Sequence, residues 1–101
     1  MLSGGLRQPV IESFWHRGLR ELFEIGKSAR VRADLHRRAL VRLDAIDKAV
    51  RLEALNQPGF DFHPLRGSRP RRYSIHVNGP WCITFEWRDG LALRVDLEQY
   101  H

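Results

Sequence analysis

Residues 72–97 decide the fold. They read Arg72-Tyr73-Ser74-Ile75-His76-Val77, Asn78-Gly79-Pro80, Trp81-Cys82-Ile83-Thr84-Phe85-Glu86-Trp87, Arg88-Asp89-Gly90 and Leu91-Ala92-Leu93-Arg94-Val95-Asp96-Leu97. Apolar and other residues alternate through the three longer runs, and successive side chains of a strand point to opposite faces. Asn78-Gly79-Pro80 turns the chain, and Asp89-Gly90 marks a tight hairpin because both positions tolerate positive φ. The expectation is an antiparallel meander. One face gathers Tyr73, Ile75, Val77, Trp81, Ile83, Phe85, Trp87, Leu91, Leu93, Val95 and Leu97. The other, with Arg72, Ser74, His76, Cys82, Thr84, Glu86, Ala92, Arg94 and Asp96, is left to water.

Upstream of the sheet the period changes. Val10 to Phe14 is short and β-capable, and Ser13 is placed to cap a helix that carries Leu19, Leu22 and Phe23 and stops at Gly26. A longer helix is predicted over roughly 29–55, with Val31, Leu35, Ala39, Leu43, Ile46, Val50 and Ala54 on one face and Arg32, Asp34, Arg38 and Arg42 facing water. Asn56-Gln57-Pro58-Gly59 ends it. Two amphipathic helices and a sheet with one apolar face leave one economical arrangement. The predicted class is α+β, two N-terminal helices packed on one face of a small antiparallel sheet. Residues 1–9, Gly-rich and ending in Pro9, read as a flexible extension, and residues 10–101 as a single domain.

Composition narrows the function. No run approaches the roughly 20 apolar residues of a membrane-spanning helix, and the first nine residues lack the apolar core of a secretory signal. A single cysteine, Cys82, forms no internal disulfide and no thiolate-rich zinc site. A cytoplasmic protein without membrane partners is expected. Seventeen Lys and Arg oppose twelve Asp and Glu, for a net charge of +5, and all the cations except Lys27 and Lys48 are arginine. Arginine's flat fork of donors matches phosphate oxygens. Arg66, Arg69, Arg71 and Arg72 crowd one short stretch without an acid among them, which points to nucleic-acid contact.

The same residues limit the chemistry. No two of His16, His36, His63, His76 and His101 have the spacing of a zinc helix, and Gly-rich phosphate loops and carboxylate clusters are missing, so no metal or other cofactor is expected. Cys82 reads as a small apolar filler of the sheet. Metal-free RNA cleavage suits what remains. RNA supplies its own nucleophile, the 2′-OH, and needs a base near that hydroxyl, cations for the phosphorane and an acid for the leaving oxygen. His63 stands just ahead of the arginine-rich stretch, and Tyr100-His101 closes the chain.

Ile11-Glu12-Ser13-Phe14, His16 to Leu19, Leu55-Asn56-Gln57-Pro58-Gly59-Phe60, His63-Pro64-Leu65-Arg66-Gly67, Trp81-Cys82-Ile83-Thr84-Phe85, Asp89-Gly90 and Val95 to His101 follow in an order that resembles the HigB toxins of the RelE/ParE superfamily, from type II toxin–antitoxin systems. The resemblance implies a RelE-like fold and a ribosome-dependent messenger-RNA endonuclease. It implies that His63, Tyr100 and His101 are catalytic and that Arg66 holds phosphate. Arg69, Arg71, Arg72 and Arg94 add RNA contacts by charge and by position. Implied partners are a HigA-type helix-turn-helix antitoxin, the ribosome with its message, and operator DNA reached through the antitoxin.

Two positions depart from the family pattern. Cys82 stands where an arginine commonly follows the strand tryptophan, and Gln99, which can orient a neighbour but not act as a carboxylate, stands before Tyr-His. The departures leave open a weakened or inactive form that only binds RNA or antitoxin. A ParE-like gyrase inhibitor is the third reading, and His63 with His101 argues against it.

Overall fold

The computed structural model describes residues 9–100. Two helices, α1 (Arg17–Ile25) and α2 (His36–Lys48), precede four strands: β1 (His63–Leu65), β2 (Arg72–Asn78), β3 (Trp81–Arg88) and β4 (Leu91–Gln99). The sheet is antiparallel throughout, in the order β1-β2-β3-β4. The α+β class and the meander are as the alternation predicts. No helix among the described residues is long and apolar enough to cross a membrane.

Both helices bury their stripes against one sheet face. Leu19 and Leu22 of α1, with Ala39, Leu43 and Ile46 of α2, meet Ile75, Val77, Ile83, Phe85, Ala92 and Val95, all but inaccessible to water. At about 25 cal/mol per Å² of apolar surface removed from water, this shared core is the main stabilising term. Gly18 lets α1 approach the segment before α2. A Cβ there would stand 2.7 Å from Arg30 Cβ and 2.9 Å from Val31 Cγ2. Gly26 ends α1 at φ 84°, its N–H donating to Leu22 O.

Several local expectations are corrected. His16, not Ser13, caps α1, its Nδ1 accepting from Leu19 N at 3.1 Å. Ser13 instead accepts from Arg94 N at 2.8 Å, as the 11–14 segment lies beside β4 through parallel bridges Ile11–Ala92 and Phe14–Val95 and covers that sheet edge. The second helix is shorter than its periodicity suggests. It is entered by a 3-10 turn, Ala33–Leu35, and ends where Ala49 becomes extended, leaving Val50 exposed and turning Leu55 inward through a second 3-10 turn, Leu52–Leu55. Arg42 does not face water. It is buried, its Nε donating to His76 O at 2.9 Å and its guanidinium lying 4.8 Å from the Phe60 ring centroid. Burial first, and Arg38 second, hold its pKa below the usual arginine value.

The largest departure is in β4. Arg94 and Val95 together oppose Phe85, since Thr84 pairs with Asp96 and Glu86 with Leu93. This β-bulge reverses the alternation. Ala92, not Leu91 or Leu93, packs into the core ahead of it, and Val95 and Leu97 resume the inward face behind it. Arg94 itself takes φ 50°, a left-handed conformation uncommon for a residue with a side chain.

Candidate functional site

The face away from the helices is polar but only partly open. Its centre holds Arg72, Ser74, Cys82, Thr84 and Glu86, all buried. Burial is tolerable there because the charges are paired. Arg72 Nη1 lies 3.3 Å from Glu86 Oε2, and Arg94 Nη1 lies 2.9 Å from Glu86 Oε1. Arg72 Nη2 also donates to Thr84 Oγ1 at 3.0 Å and to Arg94 O at 2.9 Å. The bulge is thus tied down on both sides, by Ser13 at its N–H and by Arg72 at its carbonyl.

Arg72, although flagged as a phosphate ligand, is mostly spent on its own fold, and Arg94 shares its counter-ion. Arg69 and Arg71 are exposed on the β1–β2 loop. Cys82 follows the expected polarity, in register with His76 on one side and Glu98 on the other, and is itself buried.

A cleft of about 380 Å³ opens beside this ion pair, lined by residues that include Trp15, Leu65, Arg66, Arg72, Asp96, Glu98 and Tyr100. Leu65 ends β1 at one sheet edge and Tyr100 follows β4 at the other, so the β1–β2 loop and the C-terminal segment converge across the polar face. Ser68 holds the loop in place, its Oγ donating to Leu65 O and accepting from Arg72 N. Tyr100 N donates to Pro80 O at 2.7 Å, which fixes the Tyr100 backbone against the β2–β3 turn.

Below the cleft runs a polar relay. Arg72 donates to Thr84 and Thr84 donates to Glu98, whose carboxylate lines the cleft together with Tyr100. Burial first, then the Glu98 charge, raises the phenol's pKa above its ordinary value. Tyr100 is therefore protonated at neutral pH and suited to donate a hydrogen bond or a proton rather than to accept one.

Of the flagged residues, Arg66, Arg72 and Tyr100 line the same cleft. His63 is exposed on β1, opposite Ser74, with Nδ1 2.7 Å from Asp61 O, and is not among the lining residues. Gln99 pairs with Trp81, whose side chain packs against the core, and so turns to the helix-bearing side. His101 lies outside the described residues. Glu98, Asp96, Thr84 and Trp15 were not singled out from sequence. A period-two count back from Tyr100 reaches Glu98 and Asp96, so their place was available in the pattern.

The chain matches the family model described as the RelE-like toxin of the type II toxin–antitoxin system HigB over residues 12–101. The protein named Endoribonuclease HigB from Proteus vulgaris is 41% identical over 92 residues, which cover 91% of this chain and 100% of that protein. A helix-backed antiparallel sheet with a cleft on its polar face that holds Arg66 and Tyr100 agrees with that match, and the chain belongs to the HigB family of RelE-like toxins from type II toxin–antitoxin systems.

Proposed function

We propose that this chain is an endoribonuclease toxin that arrests growth by cutting messenger RNA on the ribosome, in the cytoplasm. The observation that carries the reading is the cleft itself, where Arg66 and Tyr100 come together from opposite sheet edges beside a buried ion pair. The name of the Proteus vulgaris relative supports the same activity.

In this mechanism the ribose 2′-OH attacks the adjacent phosphorus as its proton passes to an imidazole, that of His63 or His101. Arg66 neutralises the phosphorane oxygens, with Arg69 and Arg71 holding flanking phosphates. The P–O5′ bond then breaks, and the leaving oxygen takes a proton from the other imidazole, while Tyr100 donates a hydrogen bond to the reacting phosphate. The products are a 2′,3′-cyclic phosphate and a 5′-OH. Loss of one such charge-stabilising donor slows a reaction by about 10²–10³.

The antitoxin that this family requires is, in the proposal, a HigA-type helix-turn-helix protein that also carries the toxin to operator DNA. The second reading, a form that binds RNA or antitoxin without cutting, draws on the capture of Arg72 and Arg94 by Glu86 and on the buried Cys82 where the family commonly has arginine. Induced expression followed by primer extension on translated messages separates the two. The cleaving toxin stops growth and leaves discrete breaks, and His101→Ala or Tyr100→Phe at equal protein level relieves both. Undiminished breakage in both variants would reject the assignment, and growth arrest without breaks would favour the binder.

A further inference from the structure

Trp15 is the exposed aromatic residue that the proposed chemistry leaves unused. It is 61% exposed, an unusual state for tryptophan, and it lines the cleft together with Arg66 and Tyr100. Its position is fixed at the backbone. Trp15 N donates to Val95 O at 2.9 Å, His16 N donates to the same carbonyl at 3.2 Å, and Phe14 bridges to Val95. The Arg72 guanidinium stacks over the indole with its carbon 4.7 Å from the ring centroid, and Arg72 is itself held by Glu86 and Thr84. One face of the ring is therefore backed by a cation that cannot move away, and so much exposure leaves the rest of the indole uncovered at the cleft.

We propose that Trp15 is a stacking platform for a nucleobase of the RNA held in this cleft, a positioning residue that sets the nucleotide beside Arg66 and Tyr100. The inference rests on the RNA reading above. A planar, electron-rich, pre-ordered surface beside phosphate-binding arginine has the chemistry of single-stranded RNA recognition, where bases stack on aromatic rings while cations hold the backbone. Arg72 behind the ring adds a cation–π contact that fixes its orientation, so little side-chain freedom is lost on binding. A purely structural lid over the Arg72–Glu86 pair would explain the contact with Arg72 but not the exposure of the indole within the cleft.

The test uses the full chain and two probes, a fluorescein-labelled hexaribonucleotide carrying 2′-O-methyl groups, which lacks the attacking hydroxyl, and its abasic counterpart with the same phosphates. Trp15→Leu should weaken the intact oligonucleotide by about 5- to 150-fold, the usual worth of one stacked base, and the abasic one less than about 2-fold. Trp15→Phe should recover most of the binding. Equal losses on both probes, or no loss on either, overturn the inference while leaving the RNA reading in place. A wild-type chain that binds neither probe overturns the inference together with the reading beneath it. Should Trp15→Leu not fold, wild-type indole emission serves instead. It should be quenched by the intact probe and not by the abasic one, and that difference should vanish in Trp15→Phe; quenching alike by both probes would refute stacking.

Discussion

Replacing Glu86 by glutamine removes one negative charge from a carboxylate whose side chain is 4% exposed and which serves two close guanidinium groups, with a third, Arg88, 3.9 Å away. The amide keeps one acceptor oxygen and turns two N–H donors toward the other arginine. Arg94, with a side chain 43% exposed, can swing into water. Arg72, at 10%, cannot, because its Nη2 is held by Thr84 and by the carbonyl of Arg94. A buried guanidinium is left without its counter-charge, and breaking such a pair from one side costs about 3–5 kcal/mol. The retained acceptor and the partial hydration of Arg94 place Glu86→Gln near the lower end, about 3 kcal/mol. For a domain of ordinary stability, about 5–15 kcal/mol, that is a large share. At about 1–3 kcal/mol per molar, the urea midpoint should fall by about 1–3 M with an unchanged slope. Adding Arg72→Gln should cost less than the sum of the two single changes, because the unpaired charge is gone. A Glu86→Gln chain within about 1 kcal/mol of wild type, or strictly additive costs in the double variant, would refute the claim that this pair organises the polar face.

Three further outcomes follow from the same structure. The raised phenol pKa means that folding favours the protonated ring. Its contribution to stability is whole below the unfolded value near 10 and is lost as pH climbs through the folded value. The ultraviolet titration step missing in Tyr100→Phe should therefore lie above pH 10 in the wild type, and Glu98→Gln should bring it down; a step at or below 10 contradicts the burial. Gly18→Ala forces a methyl against Arg30 and Val31 and should cost about 1–3 kcal/mol in denaturant melts, whereas a neutral result would show that the α1 contact is loose. His16→Ala should lose about 1 kcal/mol of cap energy and His16→Ser should regain most of it, so equal melts for all three chains would remove the capping assignment.

Much of this was legible in residues 72–97. Asp89 and Gly90 do take positive φ, at 53° and 78°, and the hairpin forms where the pair predicts it. The bulge was not legible. A left-handed arginine has no compositional signal, and Arg94 is held there by Ser13 and Arg72, far away in sequence. Its effect reaches the core, because it substitutes Ala92 for Leu91 and Leu93 on the inward face. β1 is three residues long and contains Pro64, which sheets accept at an edge but which hides a strand from pattern reading. Helix α2 stops at Lys48, and the 3-10 turn that follows buries Leu55, with Phe60 buried beyond it, a tertiary arrangement that local period does not encode. In the site, charge clustering draws attention to Arg66, which lines the cleft, yet it does not show that Glu86 neutralises Arg72 from the neighbouring strand. The attention that family likeness directs to Gln99 falls one residue away from Glu98, the carboxylate that lines the cleft with the tyrosine.

On the proposed reading, RNA is cut in the cleft between Arg66 and Tyr100. The decisive assay is single-turnover cleavage of a ribosome-bound message, with the termini of the fragments identified. Arg66→Ala and Tyr100→Phe should each slow the break by about 10²–10³ while the wild-type fragments carry 2′,3′-cyclic phosphate, and Arg37→Ala, an exposed α2 arginine outside the cleft, should leave the rate alone. Wild-type rates in both cleft variants, or fragments ending in 3′-OH, would contradict it.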